Sequence, residues 1–178
     1  TNFEVKTMFR GMIRKWFHDV RSDYNDFIKA LLSDDVRMMN TYMNKITLEM
    51  FSYFDTGKRA SGAEPERFYH GFVLGLMVDL ADRYMITSNR ESGFGRYDIM
   101  LEPRTGQPCT YDAVIIEFKV QAEEEKELSD TVQEALRQIR ERNYNAELTA
   151  KGIPEAKIRN YGFAFCGKQV LIGGGKIL

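Results

Sequence analysis

The sequence predicts an α/β sandwich, in which helices cover a mixed central sheet and a separate helical segment precedes it. Two observations carry this prediction. Apolar residues recur at helical spacing from Phe3 to about Phe54, with no strand-like alternation. Beyond that segment, the patterns follow the order helix, strand, strand, helix, strand, strand. Helices that flank strand pairs in this order are typical of a layered α/β domain.

Composition narrows the class of protein. With 178 residues, of which 43% are hydrophobic and 29% charged, the chain can form one domain with a full core and a helical extension. The net charge of −1 means that any nucleic-acid site has to be a local patch. Cys109 and Cys166 lie far apart, which argues against a zinc site or a disulfide scaffold. This cysteine usage makes a reduced, cytoplasmic protein the default expectation. No apolar run approaches the roughly 18 residues of a membrane span, so no membrane partner is expected.

The first part of the chain is predicted to be helical. Its methionines and aromatic residues fall on helical stripes and are assigned to a core, not to a cofactor site. The run DTGKRASGAEP, residues 55–65, then supplies glycines, a serine and a proline, which mark a linker or an exposed loop. We therefore divide the chain into a helical segment at residues 1–56 and an α/β domain at residues 57–178.

The α/β domain is predicted element by element. Pro65 suits the first turn of a helix that runs to Tyr84. Ser129 can cap a second helix, which ends near Lys151 and Gly152. Four stretches are predicted to be strands in two hairpins: RYDIMLEP with DAVIIEFKV, and YGFAFC with QVLI.

The first hairpin has a register that decides the chemistry of one sheet face. If it turns near Gln107 and Pro108, Asp98 faces Glu117. Successive side chains in a strand point to opposite faces. One face is then apolar, with Tyr97, Ile99, Leu101, Val114, Ile116, Phe118 and Val120. The other face carries Arg96, Asp98, Met100, Ile115, Glu117 and Lys119.

Two carboxylates and one lysine on a buried face need compensation, since an uncompensated buried charge costs several kcal/mol. A cross-strand salt bridge on a solvated face would provide it. A bound cation would provide it as well, because a divalent metal removes the repulsion between two facing carboxylates, and Mg²⁺ prefers hard oxygen ligands. The spacing alone leaves both explanations open.

At these residues the sequence resembles the PD-(D/E)XK nuclease superfamily, which has a restriction-endonuclease-like α/β/α core. The likeness spans roughly Ser52 to Ile172, although Tyr97 stands where the superfamily name has proline. It resembles in particular the nuclease domain that follows an AAA-ATPase-like domain in microbial proteins. Because FRGMIRKWF and SYFD resemble the tail of that ATPase-like region and the chain begins with Thr1, we expect a piece of a longer protein. The segments that carry the likeness are PERFYHGFVLGLM, SNRESGFGRYDIML, IIEFKV, EALRQI with Tyr144, and YGFAFCGKQV.

The resemblance implies a metal site and a catalytic lysine. Asp98 and Glu117 would hold Mg²⁺ or Mn²⁺ with the backbone carbonyl of Phe118, and Lys119 would orient the attacking water. Glu66, on the preceding helix, resembles a carboxylate that many members add to the metal site, although an acidic residue is also favoured in a first helical turn by the helix dipole.

Four further residues are candidates for substrate binding, each with a structural alternative. His70 lies four residues after Glu66 on the same helical face, but a buried histidine is commonly a packing residue. Arg96 could contact phosphate, or its glycine-rich surroundings could serve only a tight turn. Gln138 and Tyr144 resemble residues that contact DNA in related nucleases, but they also fit a polar helix face and a capping aromatic.

The expected function is metal-dependent hydrolysis of nucleic acid, with DNA preferred over RNA. The alternative is a catalytically silent nuclease-fold domain that holds DNA or another partner for an attached AAA-ATPase-like domain. The run Gly162 to Gln169 fits the start of a phosphate-binding loop, but glutamine follows the lysine and the next residues read as a strand. A β-hairpin is therefore predicted there, and ATP hydrolysis is not.

Overall fold

The structure is a computed structural model, and the residues that it describes include the hydrophobic core. The described backbone covers residues 21–51, 63–92, 95–104 and 111–176. Within these stretches, the side chains at residues 21–25, 49–51, 63–68, 89–92, 95 and 96 lie outside the description. The predicted helices before residue 21 and the hairpin turn near Gln107 also lie outside it.

Five helices and five strands make up the described fold. The helices are α1 (Arg21–Ser33), α2 (Val36–Phe51), α3 (Ala63–Leu76), α4 (Leu128–Glu141) and α5 (Asn145–Ala150). Two short 3₁₀ turns span Met77–Leu80 and Glu155–Lys157. The strands are β1 (Tyr84–Ser92), β2 (Gly95–Pro103), β3 (Ala113–Val120), β4 (Ile158–Cys166) and β5 (Gln169–Lys176). No described helix combines the length and the apolar character needed to cross a membrane.

The strands form one mixed sheet in the order β1-β2-β3-β4-β5. All neighbours are antiparallel except β3 and β4, which are parallel and are connected through α4 and α5. Helices α1 to α3 cover one face, over a core that includes Phe27, Leu31, Met43, Val73, Ile116 and Phe163. Helices α4 and α5 cover the other face, over Met100, Ile115, Ile139, Tyr144 and Leu148. The predicted α/β/α arrangement with a mixed sheet is confirmed.

Strand β1 was not predicted. The helix expected to run to Tyr84 ends at Leu76, passes through a 3₁₀ turn and gives way to a strand at Tyr84. β1 lies at the edge of the sheet, so only one side of it is paired, and its sequence YMITSNRES is largely polar. A polar edge strand lacks the apolar alternation by which a half-buried strand is recognised, and the prediction was therefore wrong here.

The helix predicted from Ser129 to Lys151 is divided in two. It begins at Leu128 after Glu127, whose N–H donates to Asp130 Oδ2 at 3.3 Å, while Ser129 lies in the first turn. Its first part ends at Glu141, and α5 follows after a turn in which Asn143 has φ 51°. A residue in the left-handed region ends a helix, and Asn is one of the few side chains that accept it readily.

The register of the β2–β3 hairpin agrees with the prediction. Ile99 pairs with Ile116, and the next two pairs continue in the same register. Tyr97 was placed wrongly: it belongs to the smaller core with Met100, and its ring packs edge-on to Tyr144 with the centroids 5.8 Å apart. The ladder with β3 ends at Ile99, while Tyr97 is still paired with Arg90 of β1. Between these two positions β2 departs from strict alternation, so that Ile99 and Tyr97 enter opposite cores.

The second predicted hairpin is confirmed. β4 and β5 pair from Arg159 with Lys176 to Cys166 with Gln169, so the G-x-x-x-x-G-K run forms a strand and a turn. Gly167, at φ 57°, occupies the left-handed region that this tight turn requires. The run therefore does not have the strand–loop–helix context of a phosphate-binding loop.

Helix α2 covers the free edge of β5 with side-chain amides. Asn40 donates to the Ile172 carbonyl at 2.8 Å and accepts the Ile172 N–H at 2.8 Å. Asn44 makes the same pair of bonds to Val170, at 2.7 and 3.0 Å. An unpaired strand edge is a site of aggregation, and these amides satisfy it as a neighbouring strand would. Helices α1 and α2 thus pack on the sheet, while the assignment of residues 1–56 to an ATPase-like region stays a prediction.

We expect Asn40→Ala and Asn44→Ala each to lower the free energy of unfolding by about 2 kcal/mol, since each leaves a backbone donor and acceptor unpaired. Thr41→Ala is the control, because Thr41 is exposed on the same helix and bonds only to Arg37 O of its own helix. Urea denaturation of the three variants measures the effect. Equal stability of Asn40→Ala and Thr41→Ala would show that the amide bonds to β5 contribute nothing.

Asp112 forms a charged hub at the start of β3. Its carboxylate, with 4% side-chain exposure, accepts two bonds from Arg159 at 2.7 and 2.5 Å, and Lys157 and Lys176 lie 3.3 and 3.2 Å away. Arg159 also donates to two carbonyls at the end of α1. Burial raises the pKa of Asp112, but the hydrogen bonds from Arg159, Lys176 and Lys157 outweigh burial and hold the pKa below its ordinary value. The hub ties α1 to the sheet.

Asp112→Asn should lower the free energy of unfolding by about 3 kcal/mol at pH 7, because Arg159 loses its buried partner. A carboxyl group whose pKa is lowered by folding stabilises the fold at pH values above its unfolded pKa of about 4. This contribution is lost as the pH falls through the folded pKa. The deficit of the variant should therefore shrink in acid. Denaturation at several pH values measures it, with Asp26→Asn, from the exposed Asp26–Lys29 pair, as the control. A deficit that does not change with pH would contradict the charged role of Asp112.

Candidate active site

Asp98 and Glu117 meet where β2 and β3 separate. Each lies one residue beyond the last β2–β3 pair, Ile99 with Ile116. At this point the backbone N–H of Phe118 donates to Asp98 Oδ2 at 2.8 Å, so the carboxylate is held against β3. Glu117 is 3% exposed and Asp98 is half-buried. Asp98 thus lies beside the segment of β3 that carries Glu117.

A single amide joins Glu117 to Lys119. Lys119 Nζ donates to Gln138 Oε1 at 2.6 Å, and Gln138 Nε2 donates to Glu117 Oε1. Glu117 and Lys119 are two residues apart on β3 and face α4, which supplies Gln138. The Gln138 amide oxygen accepts a bond from the Lys119 ammonium, and its amide nitrogen donates one to the Glu117 carboxylate. One side chain therefore fixes both groups. The sequence pattern alone does not show this bridge, since the bridge depends on how closely α4 lies on the sheet.

Tyr144 supports Gln138 from the smaller core. Gln138 Nε2 lies 3.4 Å from the Tyr144 hydroxyl oxygen, and Tyr144 is 1% exposed. Burial raises the pKa of Tyr144, and the nearby carboxylates of Glu117 and Asp98 raise it further, whereas the bond from Gln138 lowers it. The hydroxyl therefore stays protonated at neutral pH. Little of this side chain is left to contact a substrate.

His70 is not brought together with the two carboxylates. Its Nε2 lies 2.8 Å from Ser88 Oγ on β1, and its ring centroid lies 5.5 Å from that of Phe118. Phe118 points to the face opposite Glu117, into the core under α1 to α3. His70 is 8% exposed there, as expected of a packing histidine.

Two other predicted residues have a known position in the chain but no described side chain. Glu66 lies in the first turns of α3, and Arg96 lies near the start of β2. The side chains of both residues are outside the described part of the structure. Their predicted roles, in metal and in substrate binding, stay predictions.

The donor set fits a hard divalent cation. Within the described stretches, no three side chains of His, Cys, Asp or Glu converge as a metal site. Mg²⁺ is commonly held by one or two carboxylates, with water and substrate phosphate in its other positions. Asp98 and Glu117 can supply those two carboxylates, and the Phe118 carbonyl and Glu66 remain predicted additions. Two carboxylates are enough to hold Mg²⁺ in this way, so coordination requires no third side chain from the described residues.

The basic residues of α4 near Gln138 are partly neutralised. Arg137 pairs with Glu134 at 2.6 Å and with Glu141 at 2.5 Å on the exposed face of the helix. Exposed pairs of this kind contribute little stability, and they reduce the positive charge that a nucleic acid would meet. Arg137 therefore lies on a solvated, salt-bridged face of the helix.

The fold and the site together define a class of protein. A mixed five-stranded sheet between two helical layers carries an aspartate on one strand and a Glu-x-Lys pair on the next. This combination is that of a restriction-endonuclease-like nuclease domain. The sequence profile of the PD-(D/E)XK nuclease superfamily matches residues 64–174, more than half of the chain, and the chain belongs to this superfamily. Neither the curated proteins nor the solved structures gave a significant match.

Proposed function

We propose that this protein hydrolyses phosphodiester bonds in DNA with the help of a divalent metal ion held by Asp98 and Glu117. The observation that carries the proposal is the hydrogen-bonded chain from Glu117 through Gln138 to Lys119, beside Asp98 at the separation of β2 and β3. Membership of the nuclease superfamily supports the reaction type. Mg²⁺ is the expected metal, and Mn²⁺ is its usual substitute.

Each residue of the site has a chemical role in this proposal. When bound, the metal ion supplies Lewis acidity and lowers the pKa of a bound water. Asp98 and Glu117 offer it negative oxygens in a site where the Phe118 N–H fixes one carboxylate and Gln138 fixes the other. The Lys119 side chain donates a hydrogen bond from Nζ to the attacking water or to a phosphate oxygen as negative charge develops there.

Gln138 and Tyr144 are proposed to act as supporting residues. Both ends of the Gln138 amide already bind groups of the site, and Tyr144 is buried behind it. Neither side chain is therefore placed for a first contact with DNA. By bonding to both groups, Gln138 prevents a direct ion pair between the Lys119 ammonium and the Glu117 carboxylate. The carboxylate therefore remains available to a cation.

The proposed partners are nucleic acid and an AAA-ATPase-like domain elsewhere in the same protein, and the proposed location is the cytoplasm. The alternative of a catalytically silent domain has less support. A domain that only held its partner would have no need of Asp98, Glu117 and Lys119 joined in one network.

A cleavage assay tests the proposal. Labelled single-stranded DNA, double-stranded DNA and RNA are incubated with the protein and Mg²⁺, Mn²⁺ or EDTA. We expect cleavage of DNA that requires the metal and is absent with Asp98→Ala/Glu117→Ala. Cleavage of RNA alone would correct the substrate. Absence of cleavage by the wild type with every substrate and both metals would contradict the proposal and favour the silent domain.

A further inference from the structure

Gly162 lies directly beside the proposed site on the neighbouring strand. β4 runs parallel to β3 with Gly162 in register with Glu117, so both positions face α4. A Cβ on Gly162 would lie 2.8 Å from the Val132 carbonyl oxygen and 3.0 Å from Ala135 Cβ. Real Cβ atoms do not approach a backbone oxygen this closely. Helix α4 therefore lies nearer to β4 than any side chain at this position would permit.

The need for glycine at position 162 is one of space and not of backbone conformation. The glycines with positive φ among the described residues are Gly152, Gly167, Gly174 and Gly175. Gly162 is not among them, and its strand conformation is open to any residue. The contact is also made with the helix backbone, and a carbonyl oxygen cannot rotate away as a side chain can. An added methyl group has to move α4 itself.

We propose that Gly162 is a positioning residue for the site: by letting α4 lie close to the sheet, it allows Gln138 to reach Glu117 and Lys119 together. Gln138 follows Ala135 by three residues on the same helix, so the two move as one unit. The bond from Lys119 to Gln138 is 2.6 Å long, and a shift of several tenths of an ångström would weaken it. The catalytic consequence of this inference rests on the proposed function, whereas its geometric part does not.

The geometry is tested in the metal-free protein by nuclear magnetic resonance. Gln138→Met identifies the side-chain NH₂ signals of Gln138, and Lys119→Met identifies the Cε signal of Lys119. We expect Gly162→Ala to shift both the Gln138 NH₂ signals and the Lys119 Cε signal. Ala135→Ser adds one atom to the same contact from the helix side and should give a smaller shift in the same signals. Gly71→Ala is the matched control, since an added Cβ there meets no atom of the described residues within 4 Å beyond the adjoining backbone of its own helix.

Catalysis provides the second readout. We expect Gly162→Ala to lower kcat about tenfold with KM for DNA nearly unchanged, because small displacements of catalytic groups reduce rate without removing substrate contacts. Gly71→Ala should cleave as the wild type does. Unchanged Gln138 and Lys119 signals in folded Gly162→Ala and Ala135→Ser would overturn the proposal. If the wild type cleaves nothing, the proposed function fails, but the shifted signals would still establish the positioning role.

Discussion

Glu117→Gln is expected to lower the rate of DNA cleavage about a thousandfold and to weaken Mn²⁺ binding, because a neutral amide replaces one of two anionic ligands. The change preserves shape, and the carbonyl of the new side chain can still accept the bond that Gln138 gives to Glu117. Loss of activity would then report loss of charge at the metal site and not loss of the Gln138 contact. Cleavage kinetics at several Mn²⁺ concentrations measure the effect.

The same variant is expected to be more stable than the wild type in the absence of metal. Glu117 is 3% exposed and lies near Asp98, so its charge is desolvated and repelled. Removing this charge should raise the free energy of unfolding by about 1 kcal/mol, because groups required for activity commonly cost stability. Urea denaturation in EDTA measures this gain. Glu134→Gln, on the exposed face of α4, is the control for loss of one carboxylate and should change neither activity nor stability appreciably.

A Glu117→Gln variant that cleaves DNA at the wild-type rate would contradict the role of Glu117 as a metal ligand. A variant that loses both activity and stability would indicate that Glu117 is held by a structural ion pair. Only loss of activity together with retained or increased stability agrees with the role of Glu117 as a metal ligand.

Lys119→Met is expected to reduce cleavage about a thousandfold as well, but for a different reason, since it removes a positive donor aimed at developing negative charge. The methionine side chain retains much of the apolar stem of the lysine. Metal binding should therefore persist, or strengthen slightly because a nearby positive charge is gone. Calorimetry with Mn²⁺ and single-turnover cleavage on the same sample separate binding from chemistry.

The two variants together distinguish the roles of the carboxylate and the ammonium. Glu117→Gln should lose metal affinity, whereas Lys119→Met should keep it and lose only the rate. If Lys119→Met loses metal affinity to the same extent, the two groups act as one structural pair. If it cleaves at the wild-type rate, Lys119 has no part in the chemistry.

The position of Asp98 beside Glu117 could be predicted from the sequence because a strand has a period of two residues. Once the turn was placed, the apolar alternation of β3 left one register, and Ile99 pairs with Ile116 as that register requires. Tyr97, which pairs with β1 but no longer with β3, departs from the alternation and packs against Tyr144 on the other face.

The bridge through Gln138 could not be predicted in the same way. Its position on a polar helix face was visible in the sequence, but its contact with Glu117 and Lys119 depends on the distance between α4 and the sheet. That distance is set by close packing at Gly162, a residue whose neighbours are known only from the fold. Strand β1 was missed for a related reason, since an edge strand with polar residues carries no strong periodic signal.

The division of the chain at residue 56 was predicted from composition alone. The run DTGKRASGAEP, with two glycines, a serine and a proline, follows the predicted helical segment, and such breaker residues are the usual mark of a boundary. Composition gives no information on what a helix packs against, however. In the fold, Asn40 and Asn44 of α2 bond to the edge of β5, and Arg159 of β4 bonds to the end of α1.

Calorimetric titration of the protein with Mn²⁺ tests most directly whether Asp98 and Glu117 form one metal site. The wild type should show saturable binding, and Asp98→Asn and Glu117→Gln should each weaken it by about tenfold or more. Asp112→Asn, which changes a carboxylate at the other end of β3, should bind as the wild type does. The proposal would be contradicted by a wild type that binds no Mn²⁺, or by binding that is unchanged when both Asp98 and Glu117 are replaced.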